Sequence, residues 1–191
     1  MAKKALILID FINGICGTDS GSPAVDTLQR NDAYNKINHL LEYARSNDWL
    51  IIWIIVGFDK NYLSIPAGAP MFAQAKEYKK LQLDSDTVKI IPELNYLDGE
   101  LIIAKNAVNP FHATNLDHVL RNNVVDEIYL TGVATEIAIQ SCARDAHDRG
   151  YKVNVISDLC AGRVPEFHDA SLKMLTIFAS VFDSNSLLLK N

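Results

Sequence analysis

The chain has 191 residues, 49% hydrophobic and 21% charged, which suits one domain with a full core and excludes a disordered, collagen-like or repeat-built polypeptide. Its 18 Lys and Arg against 23 Asp and Glu give a formal charge of −5; with no basic run to follow a phosphate backbone, nucleic acid is not an expected partner. No stretch reaches the roughly 18 apolar residues of a membrane span, so a membrane is not expected either.

In chain order, the apolar run Ala5–Ile9 stops at Asp10, too short for the core of a signal peptide and typical of a strand buried on both faces of a parallel sheet. Ala33, Ile37, Leu40, Leu41 and Ala44 share one face of a helix. Trp49 to Val56 reads as a second strand, ending at Gly57. The stretch from Gly57 to about Gly99 holds Pro66, Pro70 and Pro92, with a short helical piece near Ala73–Leu81. It is too long for a simple connection and reads as a lid, a substrate loop or an oligomer contact. Further strands are expected at Leu101–Ala104, Asp126–Thr131, Tyr151–Ile156 and Ser180–Phe182, with a helix carrying Ile137, Cys142, Ala143 and Ala146. This alternation predicts a single α/β domain over residues 1–191, with about six strands in a mostly parallel sheet and helices on both faces. The apolar run Ser186–Leu189 docks on a neighbouring subunit or packs on its own domain. Cys16, Cys142 and Cys160 lack the spacing of a disulfide framework or zinc ribbon, which indicates a reducing compartment, and a cytoplasmic location is expected.

Ligands of such sheets bind at the carboxyl ends of the strands. Asp10 ends the first strand and Lys105 the third predicted one, so opposite charges converge on one rim as a structural ion pair or a proton-handling pair. The turn beginning at Gly132 opens a helix, whose first N–H groups make an anion or oxyanion site. Phe11, Phe58 and Phe111 are candidates for an apolar pocket wall, with core packing as the competing reading, and His112 for its border. Arg144 and Asp145 read as a surface ion pair.

Leu8-Ile9-Asp10-Phe11-Ile12-Asn13, Lys105 with Asn109-Pro110-Phe111-His112, Leu130-Thr131-Gly132-Val133-Ala134-Thr135 and Ser157-Asp158-Leu159-Cys160-Ala161 together resemble the isochorismatase-like cysteine hydrolase superfamily, from about Ala5 to Phe182. The resemblance implies a Rossmann-like three-layer domain and an Asp–Lys–Cys triad acting on a small-molecule amide or carbamoyl C–N bond, with no cofactor and in a homo-oligomer. Asp10 would take the thiol proton, Lys105 would hold the thiolate, and Val133 would border the substrate. The oxyanion N–H groups would be those of Ala134 and Ala138, beside a cis peptide between Val133 and Ala134.

The departure is at Ala138, which stands where the family places its nucleophilic cysteine. Cys142, one turn later, reads as a core residue. Three readings stand: a Cys→Ala replacement in an otherwise intact cysteine hydrolase, a nucleophile-free vinyl ether hydrolase using the Asp as general acid, or a non-catalytic binding module. The turn Val133-Ala134-Thr135 differs from that of the vinyl ether hydrolases. The nicotinamidase branch binds metal through Asp-x-His, but this chain has Asp59-Lys60-Asn61, and its five histidines share no ligand spacing. No metal is expected.

Overall fold

Leu6 to Ile9 are apolar on both faces, and burial requires the chain to place them mid-sheet. The computed structural model, which describes residues 3–188 apart from Ala67 and Ala69, does so with β1 (Lys3–Ile9), β2 (Leu50–Val56), β3 (Leu101–Lys105), β4 (Val125–Val133), β5 (Lys152–Ala161) and β6 (Ser180–Phe182). The six form one parallel sheet in the order β3-β2-β1-β4-β5-β6. The helices are α1 (Asn13–Cys16), α2 (Pro23–Arg30), α3 (Ala33–Ser46), α4 (Ala73–Glu77), α5 (Leu116–Asn122), α6 (Gln140–Asp148), α7 (Pro165–Leu175) and α8 (Ser184–Leu188).

Strand alternation sends Leu6 and Leu8 into a core with Leu28 of α2, the expected stripe of α3, and Leu187 of α8. Ala5, Ile7 and Ile9 face the other way, onto Leu116 and Leu120 of α5, Cys142, Ala143 and Ala146 of α6, and Leu175 of α7. Both sheet faces are therefore covered, as the α/β reading requires. A third cluster, Ile12, Val56, Phe58, Tyr62, Phe72 and Ala75, lies beneath the long 57–99 segment.

Three local expectations are corrected. β5 continues past Ile156 to Ala161, through a register shift against β4 between Leu130 and Gly132. The polar residues that resemble a strand end find distant partners, since the Asp158 carboxylate accepts from Ser184 N–H and Oγ (2.7 Å each) and Lys36 Nζ (3.0 Å). The short helix of the 57–99 segment stops at Glu77, because Lys79 and Leu81 take positive φ, which no helix propagates. Arg144 and Asp145 do not pair, as adjacent helix positions point apart. Arg144 stacks on Phe178 and donates to Gln140, while Asp145 binds Arg149 at 2.6 Å and accepts from Asn109 at 2.6 Å. Leu187 packs on its own domain, whereas Leu189 lies outside the described residues. Among the described residues no helix is long and apolar enough to cross a membrane.

Candidate active site

The strand order reverses between β1 and β4, the point at which open α/β sheets form a crevice. Asp10 leaves β1 with φ of 60°, a left-handed conformation that Asp tolerates because its short side chain can bond locally. Its N–H donates to Ile54 at 2.8 Å, and its carbonyl accepts the Cys16 thiol at 3.5 Å. Lys105 ends β3, two strands away, and its Nζ meets Asp10 Oδ2 at 2.8 Å with both side chains buried. The other oxygen, Oδ1, is buried without a hydrogen-bond partner. Burial raises the Asp10 pKa, outweighing the opposing pull of Lys105 and the nearby Val56 N–H.

β4 reaches the same edge through Gly132, paired with Ile9 at φ of 135°. A Cβ there would collide with the Ile9 carbonyl oxygen, so only glycine lets the two strands approach this closely. The Val133–Ala134 peptide is cis, as the resemblance implied. Next, Thr135–Ile139 forms a single π-helical turn leading into α6. Its N–H groups converge on one acceptor: the Ala134 carbonyl receives Ile137 at 3.1 Å, Ala138 at 2.9 Å and Ile139 at 3.3 Å. The Ala138 N–H, expected to serve an oxyanion, is thus turned onto its own backbone. Side chains tie the turn to the neighbouring elements. Thr135 Oγ1 lies 2.8 Å from His168 Nδ1 in α7, and Glu136 Oε1 accepts the Arg163 N–H at 2.8 Å.

Asp10, Lys105, Val133, Ala134, Ile137 and Ala138 line one cavity of about 490 Å³, within the range of small-ligand sites. Residues of the 57–99 segment, called the lid below for this position over the cavity, contribute Met71, Phe72, Tyr78, Lys80 and Leu81, while Ser20–Ala24 and Arg163 complete the rim. An open depression of similar size outside α2 shares only Pro23 and Arg163 with this cavity and contains neither Asp10 nor Ala138.

The aromatic expectations are corrected. Phe11 packs in the core beside α3, Phe58 lies beneath the lid against Phe72, and Phe111 stacks on Tyr151, so none of the three lines the cavity. His112 is exposed and away from it. The apolar wall is supplied instead by Phe72, Tyr78 and Leu81, which no local pattern marked. Arg163 was also missed, although it follows a strand end; the polar Ser157-Asp158 step disguised how far β5 runs. Ile137 faces the cavity rather than the core. Cys142 is fully buried, and burial pushes its thiol well above the ordinary range, which suits a core residue and not a nucleophile.

Asp59 caps its own loop, accepting from the N–H groups of Asn61, Leu63 and Ser64 at 2.9–3.1 Å. These donors hold its pKa down to about 2. Among the described residues, no three His, Cys, Asp or Glu side chains are placed to hold a metal ion.

The isochorismatase domain matches residues 4–186 of this chain. An uncharacterized isochorismatase family protein of Bacillus subtilis, YwoC, is 27% identical over 173 residues, covering 91% of this chain and 85% of that protein. The ureidoacrylate amidohydrolase RutB of Klebsiella pneumoniae is 24% identical over 200 residues, covering 96% and 85%. Among solved structures, an isochorismatase-like hydrolase from Alkaliphilus metalliredigens superposes with a TM-score of 0.82 at 26% identity, over 99% of this chain and 98% of that one.

Proposed function

The chain belongs to the isochorismatase-domain family, and from that premise we propose that its cleft holds a small-molecule amide or carbamoyl compound for C–N hydrolysis by a thiolate at position 138. Ala138 makes the chain as it stands a form that binds this substrate without forming the thioester. The observation that carries the reading is the buried Asp10–Lys105 pair, with one carboxylate oxygen unpartnered, on the cavity wall that also contains Ala138. A thiol at 138 would give its proton to Asp10 and keep its negative charge beside Lys105. Attack on the carbonyl carbon gives a tetrahedral intermediate, and the nitrogen leaves with the proton held by Asp10. Water, deprotonated by the same carboxylate, then clears the thioester. Ala134 contributes an N–H towards the oxyanion. A relative named as an amidohydrolase supports the reaction class.

The test is Ala138→Cys, assayed for ammonia release across a panel of small amides and carbamoyl compounds. A gain of at least about 10³-fold over the Ala138 chain is expected, since loss of a nucleophile commonly costs more. No gain on any member overturns the reading.

A second reading is favoured by the raised Asp10 pKa: a protonated Asp10 donates directly to a vinyl ether without any nucleophile at 138. It requires the unmodified chain to hydrolyse isochorismate and Asp10→Asn to abolish that turnover. The three cysteines are free and buried, which suits the cytoplasm. The expected homo-oligomer is tested by sedimentation velocity.

A further inference from the structure

α7 has two different faces. Ser171 and Leu175 are buried and His168 reaches the π turn, while Phe167, Met174 and, in the turn that follows, Ile177 stand 59%, 50% and 74% exposed. With Ala170, also exposed, these residues fall at steps of three, four and three, which aligns them as one apolar stripe along the helix. Large apolar side chains aligned in water mark a contact surface, whereas single scattered ones do not. None of the four lines the cavity, so covering the stripe leaves the candidate active site open.

The charges beside the stripe select what fits it. Glu166 and Lys173 lie two turns apart on the same flank, one towards each end of the helix, and neither forms an ion pair among the described residues. Asp169 lies farther round the helix, away from the stripe. A second α7 laid parallel would set Glu166 on Glu166 and Lys173 on Lys173. Laid antiparallel about a two-fold axis at Ala170, it sets each Glu166 beside the Lys173 of the other copy and Phe167 beside Met174. The smallest side chain, Ala170, then stands at the crossing, where two helices approach most closely. The order acidic, aromatic, small, apolar, basic is complementary to itself when reversed, which is the requirement of an isologous contact. An unrelated partner would give no reason for that reversal.

We propose that two copies of this chain associate through α7, antiparallel about a two-fold axis at Ala170, with Phe167 and Met174 as apolar anchors and Glu166–Lys173 pairs along one flank. This fixes a face, a symmetry and a register, which the expectation of a homo-oligomer does not, and it is independent of the hydrolysis reading. One pair of short helices buries less than the roughly 1,000 Å² of a lasting interface. The association is therefore reversible, with a dissociation constant of about 1–100 μM.

Sedimentation velocity of the full chain from about 1 to 500 μM should show a monomer–dimer equilibrium. Phe167→Glu and Met174→Glu, both at exposed positions, should each weaken it at least about tenfold while leaving the circular dichroism unchanged. Lys173→Glu should weaken it several-fold, and adding Glu166→Lys should bring the affinity back to within about twofold of the original, a rescue that only the antiparallel contact allows. The native cysteines are all buried, so Ala170→Cys supplies the one exposed thiol. On oxidation with diamide it should form a covalent dimer, because a residue on the axis meets its own copy with Cα atoms within about 7 Å. Glu42→Cys on α3, across the sheet, should not. A monomer throughout the range, a dimer unaffected by both Glu variants, a charge exchange that restores nothing, or no more crosslinking at position 170 than at position 42 would overturn the proposal. A dimer formed through another face would meet the expectation of an oligomer and still overturn this one.

Discussion

Asp10 and Lys105 are buried together, and breaking such a pair costs more than the pair contributes, because the survivor is an uncompensated charge. Lys105→Met should therefore destabilise the protein by about 3–5 kcal/mol near neutral pH. The sign of the pH dependence follows from the raised Asp10 pKa. Above the ordinary value of 3.8 the folded state retains a proton that the unfolded state has lost, so stability falls as pH rises through that window. Removing Lys105 raises the Asp10 pKa further and widens the window, so the cost of Lys105→Met should shrink on acidification. Urea denaturation of both proteins across mildly acid to neutral pH checks this, and a pH-independent difference would contradict it. Gly132 is a constraint of another kind. Gly132→Ala places a methyl against the Ile9 carbonyl oxygen at a φ of 135°, and a loss of at least about 3 kcal/mol is expected from the same denaturation measurement.

The π turn Thr135–Ile139 is held at its outer side by Thr135 against His168 of α7 and by Glu136, which accepts the Arg163 N–H. Burial lowers the His168 pKa from its ordinary 6.5, against the opposing charges of Asp169 and Glu136. Below 6.5 the unfolded chain takes up a proton before the folded one does, so this contact supports folding at neutral pH and loses its effect as pH falls. His168→Gln should flatten the pH dependence of stability between about pH 5 and 7.5; an unchanged slope would show that His168 does not titrate with folding. The lid is held differently, through the Asp59 loop cap and the Phe58–Phe72 contact. Its apolar side faces both the third core cluster and the cavity.

Across the whole molecule, the parallel sheet brings the ends of β1, β3, β4 and β5 to one edge, and the lid closes that edge into a cavity. Much of this was legible in the residues. The strands announce themselves because a run such as Leu6-Ile7-Leu8-Ile9 has no polar face to expose, and α3 because its apolar residues recur at helical spacing. Asp10, Lys105 and the turn after Gly132 were legible because each follows such a run, and strand ends of a parallel sheet share one rim. The three phenylalanines were misplaced, since the residue after a strand end points wherever the next turn sends it: Phe11 follows the left-handed Asp10 into the core. The length of β5 was hidden because Asp158 satisfies its charge with Lys36 and Ser184, both far away in the chain. The amino-acid sequence alone determined the order of the strands, the apolar stripes of α3 and α6, the covered parallel sheet and the alignment of Asp10, Lys105 and the turn after Gly132 on one edge, because periodicity and strand-end chemistry are local; the significance of Ala138 came from the family resemblance. Only the tertiary structure decided that Phe72, Tyr78 and Leu81 form the apolar wall, that the Ala138 N–H bonds the Ala134 carbonyl, and that Lys80 and Arg163 share one rim. Those relations join segments distant in the chain, and packing alone brings them together.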